Sequence, residues 1–210
     1  MIRIRKSEDR GYADRGWLKG HYSFSFADYQ DAAYMNFSTL RVLNDDRIAG
    51  GKGFGPHAHR DMEIITYVLE GHLLHRDSMG EQHVLGQNEV QTMSAGSGIV
   101  HSEFNASHTE AVHFLQIWLQ PAVHGLKPSY QQLSLSEEQK LGKLLLVASP
   151  EGGGPLKIHQ DARVLIGQVK AGQELAHDLP AGRQAWVHVI RGAANRRKRP
   201  CFSAGAKAIC

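Results

Sequence analysis

From residue 23 to 119 the apolar side chains fall in short runs, at 37–43, 63–69, 72–76, 90–93 and 112–119. Turn formers stand between them: Asn44-Asp45-Asp46, Gly50-Gly51, Glu70-Gly71, Met79-Gly80 and Ala95-Gly96-Ser97-Gly98. An extended chain sends alternate side chains to opposite faces, so short alternating runs cut by Gly, Asn and Asp predict many short strands with tight turns. That texture predicts an all-β sandwich or barrel. One short helix is expected to open at Ser136, as N-cap, with Glu137 and Glu138 in its first turn. Gly152-Gly153-Gly154-Pro155 then punctuates the chain, and strand-like runs return at 156–158, 164–169 and 185–190. A second β unit therefore begins near residues 130–146; it has no His-x-His pair, and no metal is expected in it. Beyond Gly192 the segment through Arg196-Arg197-Lys198-Arg199-Pro200 shows neither a strand nor a helix period and is expected to be irregular. The domains expected are 1–125, 126–192 and a basic tail, 193–210.

Charge changes this picture only once it is located. The net charge is +3, but Arg191, Arg196, Arg197, Lys198, Arg199 and Lys207 all lie after residue 190, where there is no acid; without them residues 1–190 carry −3. A mildly acidic body repels phosphate, which argues against direct nucleic-acid binding. The two cysteines, Cys201 and Cys210, sit in the same tail. A disulfide scaffold is excluded, a reduced cytoplasmic setting is expected, and any metal must be held by His and carboxylate. No apolar run approaches the roughly 18 residues that cross a bilayer, and the N-terminus has no apolar signal core.

The candidate chemistry comes from spacing. His57-Ala58-His59 precedes the apolar run at 63–69, and His101-Ser102-Glu103 follows the Gly-rich turn at 95–98. Residues i and i+2 of a strand share a face, so each pair aims both side chains one way. On neighbouring strands, His57, His59, His101 and Glu103 would converge as three imidazoles and a carboxylate. That donor set suits Fe(II), Mn, Co, Ni, Cu or Zn and leaves coordination positions open for water, O2 or a substrate oxygen. A lone His-x-His is more often a surface or packing pair; the second pair of matching parity is what makes a site. Glu63 shares the parity of His57 and His59 but lies about 13 Å along a strand from His59, which favours packing or an outer hydrogen-bonding role. The other histidines, His75 among them, read as loop, packing or outer groups, except His21, which the sequence leaves undecided. Gly50-Gly51-Lys52-Gly53 lacks the Lys-Ser/Thr ending of a phosphate loop and leads into a strand.

The sequence resembles the pirin family of cupins. Gly51, His57-x-His59 and Glu63 resemble the first cupin motif, and Gly86 through Gly96, His101 and Asn105 the second. The longer stretches 57–63, 66–71, 91–103 and 115–118 resemble pirin signatures, and the likeness extends over roughly residues 1–192. It implies a bicupin, two antiparallel jelly-roll barrels, with metal only in the first. The implied ligands are His57, His59, His101 and Glu103, and the implied cofactor is one divalent ion, most often iron. Bacterial members of this kind open the central ring of the flavonol quercetin with O2 and release carbon monoxide; here Glu103 would be the base that takes the 3-hydroxyl proton. The alternative implied role is a non-catalytic metal-binding regulator acting through a protein partner. Family members continue past Gly192 with strands that close the second barrel, so the tail reads as a frameshifted or truncated end that leaves that barrel incomplete, against a genuine basic tail.

Overall fold

The computed structural model describes residues 3–150, 153–194, 201–203 and 207–209. The chain separates into two compact units, Met1–Ser134 and Leu135–Cys210. In the first, strands β1 (Gly11–Asp14), β2 (Leu18–Tyr22), β3 (Leu40–Ile48), β4 (Gly53–His59), β5 (Glu63–Glu70), β6 (Leu73–Asp77), β7 (Gln82–Leu85), β8 (Glu89–Ser94), β9 (Ile99–Asn105), β10 (Val112–Leu119) and β11 (Ser129–Ser134) form two antiparallel sheets. The larger sheet runs β1-β2-β3-β10-β5-β8-β11 and the smaller β4-β9-β6-β7. Strand β11 pairs with β8 in register from Ser129↔Ser94 to Ser134↔Glu89. That pairing ties residues 129–134 to the first unit and puts the division after Ser134 instead of at the expected 125/126.

Period-two alternation decides what fills the space between the sheets. Leu18, Ile48, Val68, Val112 and Phe114 of the large sheet pack with Leu73 and Leu85 of the small one, all fully or nearly fully buried. A second cluster joins Ile64, Met93, Ala95 and Ile99, with Trp118 against it. Between the two clusters runs a polar row. Asn44, Gln116, Thr66, Gln91 and Gln132 are direct cross-strand neighbours on β3, β10, β5, β8 and β11, and direct neighbours share a face. The triplet Asn44-Asp45-Asp46, expected to be a turn, is therefore the middle of β3, with Asn44 and Asp46 buried. Three consecutive polar residues signal a turn only where the chain meets water, and this part of the interior is polar.

In the second unit the helix α1 (Glu137–Lys140) opens where expected. The Ser136 hydroxyl accepts from the Gln139 N–H at 3.2 Å, and Gln139 Oε1 accepts from the Ser136 N–H at 2.8 Å. This reciprocal box satisfies two otherwise orphaned donors. Ser136→Ala is expected to destabilise by about 1 kcal/mol, read as a lower urea midpoint at unchanged slope. Strands β12 (Leu144–Ser149), β13 (Leu156–Lys157), β14 (Val164–Gln168), β15 (Glu174–Ala176), β16 (His188–Arg191), β17 (Cys201–Ser203) and β18 (Lys207–Ile209) complete the all-β architecture, in sheets β13-β12-β14-β18-β16 and β15-β17.

The last two strands correct the expectation of an irregular tail. β18 lies between β14 and β16, and β17 pairs with β15. Each is three residues long, too short for alternation to show in sequence. The Arg-rich run itself, on which the truncation reading leaned, lies outside the described residues.

Candidate metal centre

Strand β4 carries the first histidine pair, and its geometry depends on a bulge. Phe54 faces Glu103 and His57 faces His101, so Gly55 and Pro56 together oppose Ser102. Proline has no N–H to give a ladder and suits such a position. Gly53, just before it, has no room for a side chain: a Cβ would lie 2.5 Å from Phe104 Cα and still closer to the Glu103 carbonyl oxygen. The bulge also aims a carbonyl at the site. Gly55 O lies 2.8 Å from His57 Nδ1; a carbonyl can only accept, so Nδ1 carries the proton and Nε2 keeps its lone pair. After β4 the chain turns through Asp61, at φ 48°, whose carboxylate accepts from the Gly125 N–H at 2.7 Å.

Strand β9 supplies the second pair, positioned by the turn at 95–98. Gly96 there has φ 46°, and a Cβ would strike the Leu126 carbonyl oxygen. His101 lies directly across from His57 on one side and Asp77 on the other; Glu103 lies across from Phe54 and His75. The rings of His57, His59 and His101 have centroids 4.4–4.9 Å apart. One donor atom from each lies within 4.8 Å of the others. His59 Nε2 and both ring nitrogens of His101 are buried without a hydrogen-bond partner. Burial and the neighbouring imidazoles hold His59 down to about 4 and His101 to about 2, so both rings are neutral. Desolvated, unprotonated nitrogens facing one another are costly unless a cation takes their lone pairs. The residues present thus fit a divalent metal.

Glu103 lies in a different grouping from the three histidines just described. Its donor atom groups with those of His101 and His75, again within 4.8 Å. The carboxyl is buried, and desolvation pushes it up to about 7, against the hydrogen bonds it accepts. Those bonds come from the polar row. Gln116 Nε2 donates to Oε2 at 2.6 Å, while Gln91 Nε2 and Thr66 Oγ1 donate to Oε1 at 3.3 and 3.4 Å. Gln116 is itself fixed, because its Oε1 accepts from Trp118 Nε1 at 2.8 Å. An indole N–H can only donate, so the Gln116 NH2 must face Glu103. The same indole meets the His59 ring edge-on, centroids 4.9 Å apart. Trp118 therefore touches one histidine directly and orients Glu103 through Gln116.

Glu63 is buried, with Ser94 Oγ donating to it at 2.8 Å, and belongs to neither grouping. His75 was not singled out in sequence, although His75-Arg76-Asp77 has the same i, i+2 spacing as the two pairs that were. A surface hollow of about 290 Å³ is lined by His59, Arg60, Ser78, Gly98 and Ile99, among others, so one histidine of the triad borders solvent-accessible space. Among the described residues no helix is long and apolar enough to cross a membrane.

Comparison with known proteins places this geometry. Residues 3–119 match the family model described as Pirin, and residues 146–201 match that of the quercetinase C-terminal cupin domain. The chain is 45% identical over 192 residues to the quercetin 2,3-dioxygenase of Escherichia coli strain K12, a span of 91% of this chain and 82% of that protein. It is 42% identical over 189 residues to the pirin-like protein of Caulobacter vibrioides, spanning 89% of this chain and 81% of that one. The crystal structure of the bacterial pirin YhhW from Escherichia coli, in complex with nickel(II), superposes with a TM-score of 0.89 at 42% identity, covering all of this chain and 90% of that one.

Proposed function

The chain belongs to the pirin family, with its bicupin architecture, and from that premise we propose that it is a metal-dependent dioxygenase that opens a flavonol such as quercetin with O2. The ligands in this reading are His57, His59, His101 and Glu103, and the ion is Fe(II), with Ni(II) as the precedent from the related crystal structure. The observation that carries it is the convergence of three imidazoles, two of them with buried unpartnered nitrogens, beside a carboxyl poised near neutrality. When bound, the metal supplies Lewis acidity and redox chemistry toward O2.

The side chains do the rest. Glu103, at about 7, is matched to take the proton of an acidic 3-hydroxyl and return it to the ring-opened product. Gln116, Gln91 and Thr66 hold its carboxylate by hydrogen bonds that favour the charged form. Trp118 and Ile99 give His59 apolar neighbours, which limits water around the reacting groups. A cytoplasmic setting goes with this reading, since no cysteine precedes Cys201.

The test is protein reconstituted with Fe(II) or Ni(II), assayed for O2 uptake, quercetin bleaching and carbon monoxide release. Equal consumption of O2 and quercetin, with one carbon monoxide per turnover, is expected. Metal-loaded protein no faster than the same metal free in buffer defeats the reading and leaves the non-catalytic, partner-binding role.

A further inference from the structure

Resting on the reading that a divalent cation binds in this barrel, we propose that His75 is a metal-binding residue, and that His75, His101 and Glu103 form an inner three-donor station, an alternative to the outer station in which His57 and His59 join the same His101 and Glu103. The two groupings share His101, and in each the donor atoms lie within 4.8 Å of one another. They differ in depth. His57 and His59 are half-buried, whereas His75, His101 and Glu103 are 0%, 2% and 1% exposed. The inner station sets two imidazoles against one carboxylate, a donor set that suits a cation such as Mn(II) or Fe(II).

The orientation of His75, together with its place beside His101 and Glu103, marks it as a ligand. Metal-binding imidazoles characteristically tether one ring nitrogen to a carboxylate or carbonyl and present the other. His57 follows that pattern through the Gly55 carbonyl. His75 follows it too: Nε2 lies 3.1 Å from Asp77 Oδ2, both side chains fully buried, and Nδ1 is buried with no partner. Its ring centroid is 5.3 Å from that of His101, and it stands directly across the ladder from Glu103. A bare buried nitrogen costs about 1–3 kcal/mol; His113, tethered to Asp45, leaves one too but stands in no donor grouping among the described residues, and it is the place beside His101 and Glu103 that sets His75 apart. Both stations need His101 and Glu103, so they are alternative seats for one cation.

The test isolates the inner seat. In the full chain, with Cys201→Ser and Cys210→Ser in every background to remove thiolate ligands, His57→Ala/His59→Ala abolishes the outer station. Titrated with Co(II), this variant is expected to bind one equivalent. Adding His75→Ala should weaken that binding by more than about 100-fold, beyond the roughly 10–100-fold that losing an outer hydrogen-bond partner costs, which is the effect expected for Asp77→Asn. Cu(II) loaded into the same variants should show electron-paramagnetic coupling to two imidazole nitrogens, falling to one without His75. If the alanine pair fails to fold, by circular dichroism, His57→Gln/His59→Gln replaces it. A folded variant that takes up no Co(II), while the parent takes up one equivalent, overturns the inner station alone, as does binding indifferent to His75→Ala. A parent chain that takes up none overturns the proposed function as well.

Discussion

In His101→Ala, nickel(II) is expected to lose its effect on thermal stability and turnover to fall to background, while the metal-free protein melts close to the parent. Both donor groupings contain this ring, so neither keeps three donors without it, and the proposed ligand set falls from four to three. The metal-free state responds differently because two terms oppose each other. Truncating a buried side chain leaves a cavity, but here it also removes two buried nitrogens that have no partner. Such unmade hydrogen bonds cost about 1–3 kcal/mol each, comparable to the packing lost on truncation. The parent, by contrast, gains about 4 kcal/mol when a ligand is present at a thousand times its Kd. Melting curves of both proteins with and without Ni(II) read the difference directly. A variant whose melting temperature still climbs with nickel shows that the ion is held elsewhere.

The same ring shows how far the sequence could be read. The i, i+2 parity of His57-x-His59 and His101-x-Glu103 depends only on the strand repeat, a local property, and the structure does bring the three imidazoles together. What surrounds Glu103 is not local. Gln116, Thr66 and Gln91 come from β10, β5 and β8 of the opposite sheet, aligned by pairings that join residues as far apart as 66 and 116. No spacing rule links residue 103 to residue 66. His75 was legible in principle, since His75-Arg76-Asp77 repeats the parity, but among thirteen histidines a single one beside an acid reads as packing. The composition rule for turns failed at Asn44-Asp45-Asp46 because it presumes solvent, and here β3 crosses a polar interior. The tail strands escaped notice because three residues of β17 or β18 cannot display alternation.

The polar row also explains why stability and metal binding pull against each other at Glu103. Asp46 is buried as well, and its carboxyl is raised well above the usual range by burial, by Asp45 and by Glu103. Two acids are thus kept in a space from which water is excluded, with amide and hydroxyl donors aimed at only one of them. Metal-free, this arrangement costs stability; a cation drawing on the carboxylate offsets the cost.

Glu103→Gln is accordingly expected to stabilise the metal-free protein at pH 8 and to leave it nearly unchanged at pH 4.5. The folded-state carboxyl titrates at about 7, above its ordinary 4.5. A raised pKa means the folded form holds the proton more tightly, so the group's contribution is fully present below 4.5 and is lost as the pH climbs through 7. That gap amounts to about 3 kcal/mol at pH 8, which glutamine, neutral and of the same shape, does not lose. Metal binding should move the other way. Below 7 the ion must displace the Glu103 proton, so the parent's apparent affinity for Ni(II) falls about tenfold per pH unit between 7 and 5. His59 and His101, already neutral down to about 4 and about 2, add nothing in that window. In the variant, affinity is lower throughout and this carboxylate's share of the slope disappears. Urea denaturation at the two pH values and nickel titrations from pH 5 to 8 measure both effects. Equal stability of parent and variant at pH 8 shows that Glu103 carries no buried charge, and an unaltered pH slope shows that its proton does not compete with the metal.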